Sequence, residues 1–218
     1  MALSKLVANS FDLTDNYSFT GTVSGAGIST QKLFLIKNLD ASGSSTRTFI
    51  DGSNSVVLDN TYKTYYFKFI NIHASGSTGD LVFQGSTQGA SSSDSDYANN
   101  ITSNVFQSAH SEDDSTNAEI GYTTSADQGN GTGFQIISAT VGNGNDECVS
   151  GEMWLFNPSS TTFVKHFMAR TNVYHPSDIS VERWTAGYFN TTSAINAIRF
   201  KLSAGNMDSG RIALYGIK

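Results

Sequence analysis

The chain has 218 residues, of which 11% are aromatic and 15% charged, and this aromatic content excludes a chain that is disordered throughout. A formal net charge of −6, with only 13 Lys and Arg residues, excludes a basic surface for nucleic acid. Cys148 is the single cysteine, which excludes an intrachain disulfide and a multi-cysteine zinc site.

Apolar residues at every second position, bounded by Gly, Asn, Asp and Ser, predict β-strands along most of the chain. The first two predicted strands, Gln31–Asn38 and Arg47–Ile50, are expected to form an early pair. The strongest pattern lies in Thr61–Ala74, where aromatic residues occupy three successive odd positions, 65, 67 and 69. Asp80–Gln84 follows a short Gly-rich connection and is expected to pair back on that strand as a hairpin.

Within the strong strand, the alternation predicts one core face carrying Tyr65, Phe67 and Phe69. The opposite face then carries Thr64, Tyr66 and Lys68.

Residues 85–133 are rich in Ser, Asp, Asn and Gly, and only Asn104–Ala109 and Ala118–Thr123 resemble short strands. A disordered linker has this composition too. The isolated apolar residues favour long surface loops that are pinned at a few points. The predicted pins are Tyr97, Ile101, Phe106 and Tyr122.

Strand patterns return in four segments: Gly133–Val141, Gly151–Phe156, Thr161–Ala169 and Ile179–Phe189. In the third, Phe163, Lys165 and Phe167 are predicted to share one face, with Val164, His166 and Met168 on the other.

The chain closes on a predicted hairpin over Ile195–Lys218. The first strand of this hairpin is predicted to direct Ile198, Phe200 and Leu202 inward, with Arg199 and Lys201 outward. The second is predicted to direct Ile212 and Leu214 inward, with Arg211 and Ala213 outward. Met207 is expected to lie beneath the connecting loop or to contact a neighbour.

Roughly ten short strands without intervening helices leave no room for a parallel α/β sheet, which requires crossover helices. We therefore expect an all-β fold, an antiparallel β-sandwich of jelly-roll type with long polar surface loops. Residues 1–218 are predicted to form one domain, with 1–25 as an extended arm and 85–133 as a loop-rich excursion.

No catalytic, cofactor-binding or metal site is predicted. The nucleophile elbow G-x-S-x-G is absent, and Asp146 and Glu147 disfavour a thiolate at Cys148, which is expected to be a partly buried apolar residue. The four histidines lack zinc-ligand spacing; they are His73, His110, His166 and His175.

Three acidic loops are interpreted as solvated surface loops, because they lack the ligand order of an EF-hand. They are Asp94–Asp96, Glu112–Asp114 and Asn143–Glu147. Paired carboxylates for sugar hydrolysis stay open, since nothing selects one pair among the 19 acidic residues. The sequons at Asn16, Asn100, Asn130 and Asn190 match chance expectation and carry no information.

Four sequence segments are distinctive: MALSKLVANSFDLTDNYSFTG (1–21), TYKTYYFKFINIHA (61–74), GEMWLFNPSSTTFVKHF (151–167) and NTTSAINAIRFKLSAGNMDSGRIALYGIK (190–218). Together they resemble the virion structural proteins of marine tailed bacteriophages, the group that infects cyanobacteria and similar ocean bacteria. The resemblance implies a non-enzymatic subunit exposed on a capsid, tail or fibre, with other virion proteins and copies of itself as partners.

The resemblance also implies synthesis in the host cytoplasm and localisation to the virion. No membrane partner is expected, since no segment approaches the roughly 20 apolar residues that span a bilayer. A carbohydrate-binding module for host cell-surface glycan is the alternative, because aromatic faces stack on sugars. Its candidate residues are Tyr66, Trp154, Trp184 and Tyr188, which compete with core or subunit-contact roles. A polysaccharide depolymerase is the third and least favoured hypothesis.

Overall fold

Twelve β-strands make up the regular structure in a computed structural model that describes residues 32–89, 93–114 and 119–218. The strands are β1 (Leu33–Asp40), β2 (Thr46–Ile50), β3 (Thr64–Ser75), β4 (Gly79–Ser86), β5 (Ile101–Ser111), β6 (Glu119–Tyr122), β7 (Gln135–Val141), β8 (Val149–Phe156), β9 (Lys165–His175), β10 (Ile179–Phe189), β11 (Ala197–Leu202) and β12 (Asn206–Ile217). One short 3-10 turn lies at Asp94–Asp96. The predicted arm over residues 1–25 falls outside the described residues.

The strands form two antiparallel sheets that pack together. The larger has eight strands in the order β1-β12-β3-β8-β9-β10-β5-β6, and the smaller has four in the order β2-β11-β4-β7. The predicted all-β sandwich is therefore confirmed, whereas the jelly-roll strand order stays a prediction.

Alternation of side chains places one face of each sheet in a common core. Tyr65, Phe67 and Phe69 are at most 1% exposed, as the period-two pattern of β3 predicts. Phe200 of β11 lies at the centre of this core, with its ring centroid 5.1 Å from that of Phe67 and 6.1 Å from that of Phe83. Aromatic side chains from both sheets thus contact one another in the core.

Two predicted hairpins are wrong in the same way. β4 does not pair with β3 but with β11 and β7, and β11 does not pair with β12 but with β2 and β4. At both places the short connection carries the chain from one sheet to the other. These two corners lie against each other, because the Ser203 amide donates to the Asp80 carbonyl at 2.8 Å.

The expected early pair of strands is also wrong. β1 pairs with β12 in the larger sheet, whereas β2 pairs with β11 in the smaller one. Ala213 and Arg199 point away from the core as expected, but other residues cover both side chains, which are 1% and 3% exposed. Met207 is fully buried in β12, which agrees with the expected placement beneath the loop.

The strand predicted over Thr161–Ala169 is displaced along the chain. β9 begins at Lys165, so that Phe163 precedes it and is 69% exposed instead of sharing the inward face. Lys165 itself is fully buried and its ammonium donates to the carbonyl of Thr191 at 3.1 Å. Burial lowers the pKa of this lysine.

The excursion between β4 and β7 is pinned, but only partly by the expected residues. Tyr97 and Ile101 are buried, which confirms them as pins, whereas Phe106 and Tyr122 are 43% and 56% exposed. Glutamine side chains supply the other anchors: the buried Gln84 amide donates to the carbonyls of Asn99 and Gly133, and the buried Gln135 amide donates to the carbonyl of Ala126.

Candidate functional site: the outer face of the eight-stranded sheet

The outer face is the set of side chains that the eight-stranded sheet directs away from the four-stranded sheet. Cross-strand register aligns these side chains in rows. One row runs through Leu35, Tyr215, Tyr66, Trp154 and Met168, each directly opposite the next on the neighbouring strand. A second row runs through Glu152, Arg170, Trp184, Phe106 and Tyr122. The two rows together carry aromatic residues from six of the eight strands.

The first row contains a contiguous aromatic cluster. The ring centroids of Tyr66 and Trp154 are 4.8 Å apart, and those of Tyr66 and Tyr215 are 5.9 Å apart. The Tyr66 hydroxyl donates to Glu152 Oε2 at 2.9 Å. Burial, followed by this hydrogen bond, raises the pKa of Tyr66 to about 12, so the phenol stays protonated and acts as a hydrogen-bond donor.

The second row stacks an arginine and two rings. The rings of Phe106 and Trp184 lie parallel within 10°, with centroids 5.0 Å apart. The guanidinium carbon of Arg170 lies 5.2 Å from the centroid of the Trp184 ring, on its face, and Arg170 also forms an ion pair with Glu182. A guanidinium held between a carboxylate and an indole has less freedom to lose when a partner binds.

Exposed apolar side chains concentrate on this sheet. The described residues contain eight large apolar side chains that are exposed, and seven belong to strands of the eight-stranded sheet: Leu33, Leu35, Ile70, Phe106, Ile120, Tyr122 and Met168. The eighth is Phe163, which lies in a loop. Soluble monomers rarely leave a large contiguous apolar patch exposed, and such patches mark interaction sites.

Two shallow depressions lie on the outer face. One, of about 560 Å³, is polar and includes Tyr66, Glu152, Arg170 and Glu182 among its lining residues. The other, of about 370 Å³, is mainly apolar and includes Phe156, Met168, Tyr188 and His166. The face therefore offers both an aromatic surface and adjacent hydrogen-bonding groups.

All four aromatic residues selected from the sequence lie on the outer face. Tyr66, Trp154, Trp184 and Tyr188 are half-buried and none belongs to the inward-facing core. Phe106, Arg170 and Tyr215 also lie on the outer face and are not among the site residues predicted from the sequence. The alternation that separates Met168 from Phe167 places Arg170 on the same face as Met168. Phe106 was wrongly assigned as a buried pin.

The histidines lie apart from one another and have different partners. The ring nitrogens of His73 lie 2.6 Å from Asp208 Oδ1 and 2.8 Å from the carbonyl oxygen of Gly144. His110 lies 3.2 Å from Asp114, and the ring of His166 lies against Tyr188 with centroids 5.8 Å apart. His175 accepts a hydrogen bond from the amide of Ser177.

The remaining sequence candidates also have local roles. Cys148 is half-buried, and burial, with a smaller contribution from Asp146, raises the pKa of its thiol. Asp94 is not merely solvated, because its carboxylate pairs with Arg199 at 2.8 Å and with Lys201. Among the described residues, no group of three or more His, Cys, Asp and Glu side chains is arranged to hold a metal ion.

In the described ranges, no helix has the length and apolarity needed to cross a membrane. No protein-family model, curated protein or solved structure matches this chain.

Proposed function

We propose that this protein is a non-enzymatic structural subunit of a bacteriophage virion, exposed on the particle surface as a capsid decoration or a tail or fibre component. The observation that carries the proposal is the concentration of exposed apolar and aromatic side chains on the outer face. The phage assignment itself rests on the resemblance of the four sequence segments to virion structural proteins, which stays a prediction.

The composition of the outer face suits attachment to another protein. Aromatic residues, Met and Arg are enriched at the centres of protein interfaces, and Trp184, Met168 and Arg170 lie near the middle of this sheet. Met168 is 51% exposed, so burying the rest of its side chain contributes about 1 kcal/mol, roughly half of what full burial of an exposed side chain contributes. The two rows together therefore supply several anchors for a neighbouring virion protein or a second copy of this chain.

A binding assay on particles tests the attachment. Virions that lack this chain are mixed with the purified protein and sedimented. We expect wild-type protein to sediment with the particles and Met168→Asp to stay in the supernatant, because a carboxylate on this face must be desolvated on binding.

Phe163→Asp is the matched control, since Phe163 is exposed but lies off the sheet. This variant should sediment like the wild type. Equal sedimentation of all three proteins, or absence of the chain from mass spectra of purified wild-type virions, would contradict the proposal.

Recognition of host cell-surface glycan is the second candidate function. It is favoured by the position of Tyr66, Trp154, Trp184 and Tyr188 on one face, next to a polar depression with two carboxylates and a guanidinium. Aromatic faces bind the apolar faces of sugar rings, and the polar groups bind hydroxyls. A glycan array probed with folded wild-type protein and Trp184→Ala tests this: signal lost in the variant supports recognition, and no signal with wild type refutes it.

A further inference from the structure

A third depression lies between the two sheets, and its lining residues are distinct from those of the two outer-face depressions. Its volume is about 430 Å³, which falls in the range of small-molecule sites. Strands from both sheets line it, with Asp80 and Thr140 on one side and Gln107 and Arg183 on the other. Glu119 and His175 also line it.

Arg183 has no ion-pair partner despite its burial. The residue is only 8% exposed, and no carboxylate of the described residues lies within 4.0 Å of its guanidinium. One terminal nitrogen donates to the carbonyl of Ser138, and the other donates to Gln107 Oε1 at 2.7 Å. The Nε–H has no hydrogen-bond partner.

This arrangement is costly unless something compensates it. A guanidinium is always charged in proteins and has five N–H donors, so two hydrogen bonds leave most of its capacity unused. Burying an unpaired charge costs several kcal/mol per ion. Asp80 is the carboxylate whose charge acts on Arg183, but its Oδ1 accepts a hydrogen bond from the Thr140 hydroxyl at 3.1 Å.

We propose that this pocket binds a small organic monocarboxylate that also carries hydroxyl groups, such as a hexuronic acid, and that Arg183 binds the carboxylate. A planar carboxylate accepts two N–H bonds from a guanidinium. The carboxylates of Asp80 and Glu119 repel a dianion but accept hydrogen bonds from hydroxyl groups. The pocket volume fits a single sugar ring. This inference does not rest on the proposed virion role.

An NMR titration of the amide signals tests the inference with three probes: sodium glucuronate, sodium acetate and glucose. We expect glucuronate to shift the amides of Gln107, Ala126 and Thr140 in a saturable manner and to leave those around Tyr66 unchanged. Glucose lacks the carboxylate and acetate lacks the hydroxyls, so each should bind at least about tenfold more weakly, in line with the loss of a charge-assisted hydrogen bond or several neutral ones.

Two variants localise the effect. Arg183→Met removes the charge while keeping a long side chain, and we expect glucuronate to bind at least about tenfold more weakly. Glu119→Gln changes an exposed residue at the pocket and should tighten glucuronate binding about twofold or more, because one repelling charge is removed. Asp59→Asn neutralises an exposed carboxylate that lines neither this pocket nor the two outer-face depressions, and it should leave the affinity unchanged.

Several results would overturn the inference: no saturable shift with glucuronate, equal affinity for glucose, or unchanged affinity in Arg183→Met. If Arg183→Met does not fold, the comparison of Glu119→Gln with Asp59→Asn decides, and equal affinities for these two variants reject the site. Shifts confined to residues around Tyr66 would place the ligand on the outer face instead and would also reject it.

Discussion

Replacing Phe200 by Ala tests whether the core between the sheets holds the fold together. Phe200 is fully buried, and its ring centroid lies within 6.2 Å of those of Phe49, Phe67, Phe69 and Phe83. Truncating a buried Phe to Ala costs about 3–5 kcal/mol, because transfer free energy is lost and a cavity remains. The four ring contacts add about 0.5–1.5 kcal/mol per pair beyond area burial, which places the expected loss at the upper end.

The assay is urea denaturation followed by tryptophan fluorescence and circular dichroism. A domain is stable by only about 5–15 kcal/mol, so Phe200→Ala should lower the free energy of unfolding by a third or more and shift the midpoint strongly. Phe200→Leu should fall between Ala and wild type, which keeps the test informative if the Ala variant does not fold.

Phe163→Ala is the control, since its ring is 69% exposed and its removal should change the free energy of unfolding by less than about 0.5 kcal/mol. If Phe200→Ala and Phe163→Ala have equal unfolding midpoints, the assignment of Phe200 to the shared core is refuted.

Three further predictions concern the last strand, β12, and one titrating contact. Deleting Ile212–Lys218 removes half of β12, the strand that lies between β1 and β3, together with the fully buried side chains of Ile212 and Leu214, which contribute about 1.5–3 kcal/mol each. The truncated chain should therefore show no cooperative melting transition. A cooperative transition would contradict the position of β12 inside the sheet. Gly210→Ala should destabilise the protein by more than about 1 kcal/mol, because φ at Gly210 is +101° and the new Cβ would lie 2.3 Å from the carbonyl oxygen of Asn71. Gly121→Ala is the control. Its Cβ would meet nothing within 4 Å, so this variant should be nearly neutral in the same unfolding assay. Both ring nitrogens of His73 face acceptors, Asp208 and the Gly144 carbonyl, and the hydrogen bond to Asp208 is the main cause that raises the pKa of His73. Because the folded-state pKa lies above the unfolded value of about 6.5, this stabilisation is present in full below pH 6.5 and is lost as pH rises through the folded pKa. Unfolding midpoints of wild type and His73→Gln between pH 5.5 and 9 should therefore converge with rising pH, and a constant difference would contradict the contact.

Positions of strands could be predicted from the sequence because they depend on local alternation. Ile179–Phe189 was predicted as a strand with the bounds that β10 has. Which strands pair could not be predicted in the same way. The connections after Ser75 and after Leu202 have the length and glycine content of hairpin loops. Each of them nevertheless joins strands of different sheets, β3 to β4 and β11 to β12, and the two strands bury their apolar faces in the core between the sheets. Local sequence does not distinguish these two solutions.

The burial of charged side chains could not be predicted from the sequence either. Arg199 alternates with core residues and was assigned to solvent, yet the segment around Asp94 and Tyr97 covers it. Its guanidinium carbon lies 4.0 Å from the centroid of the Tyr97 ring. This contact joins residues that are more than a hundred positions apart, so no local pattern announces it. Arg183 was missed for the same reason.

The candidate glycan residues show what alternation does reveal. The period-two pattern placed Tyr66 on the face opposite Phe67, and the structure adds that Trp154 and Tyr215 lie beside it through strand register. Alternation therefore predicts which side chains of one strand point outward. Whether the outward side chains of different strands form one continuous surface depends on the strand order, which alternation does not predict.

A cryo-electron microscopy reconstruction of the particle tests the central proposal most directly. The proposal predicts that density for this chain lies on the virion surface with Met168, Trp184 and Tyr215 against a neighbouring protein, and the copy number then separates a capsid decoration from a tail or fibre component. A reconstruction without this chain, or one in which the outer face points to solvent and another surface makes the contact, would contradict it.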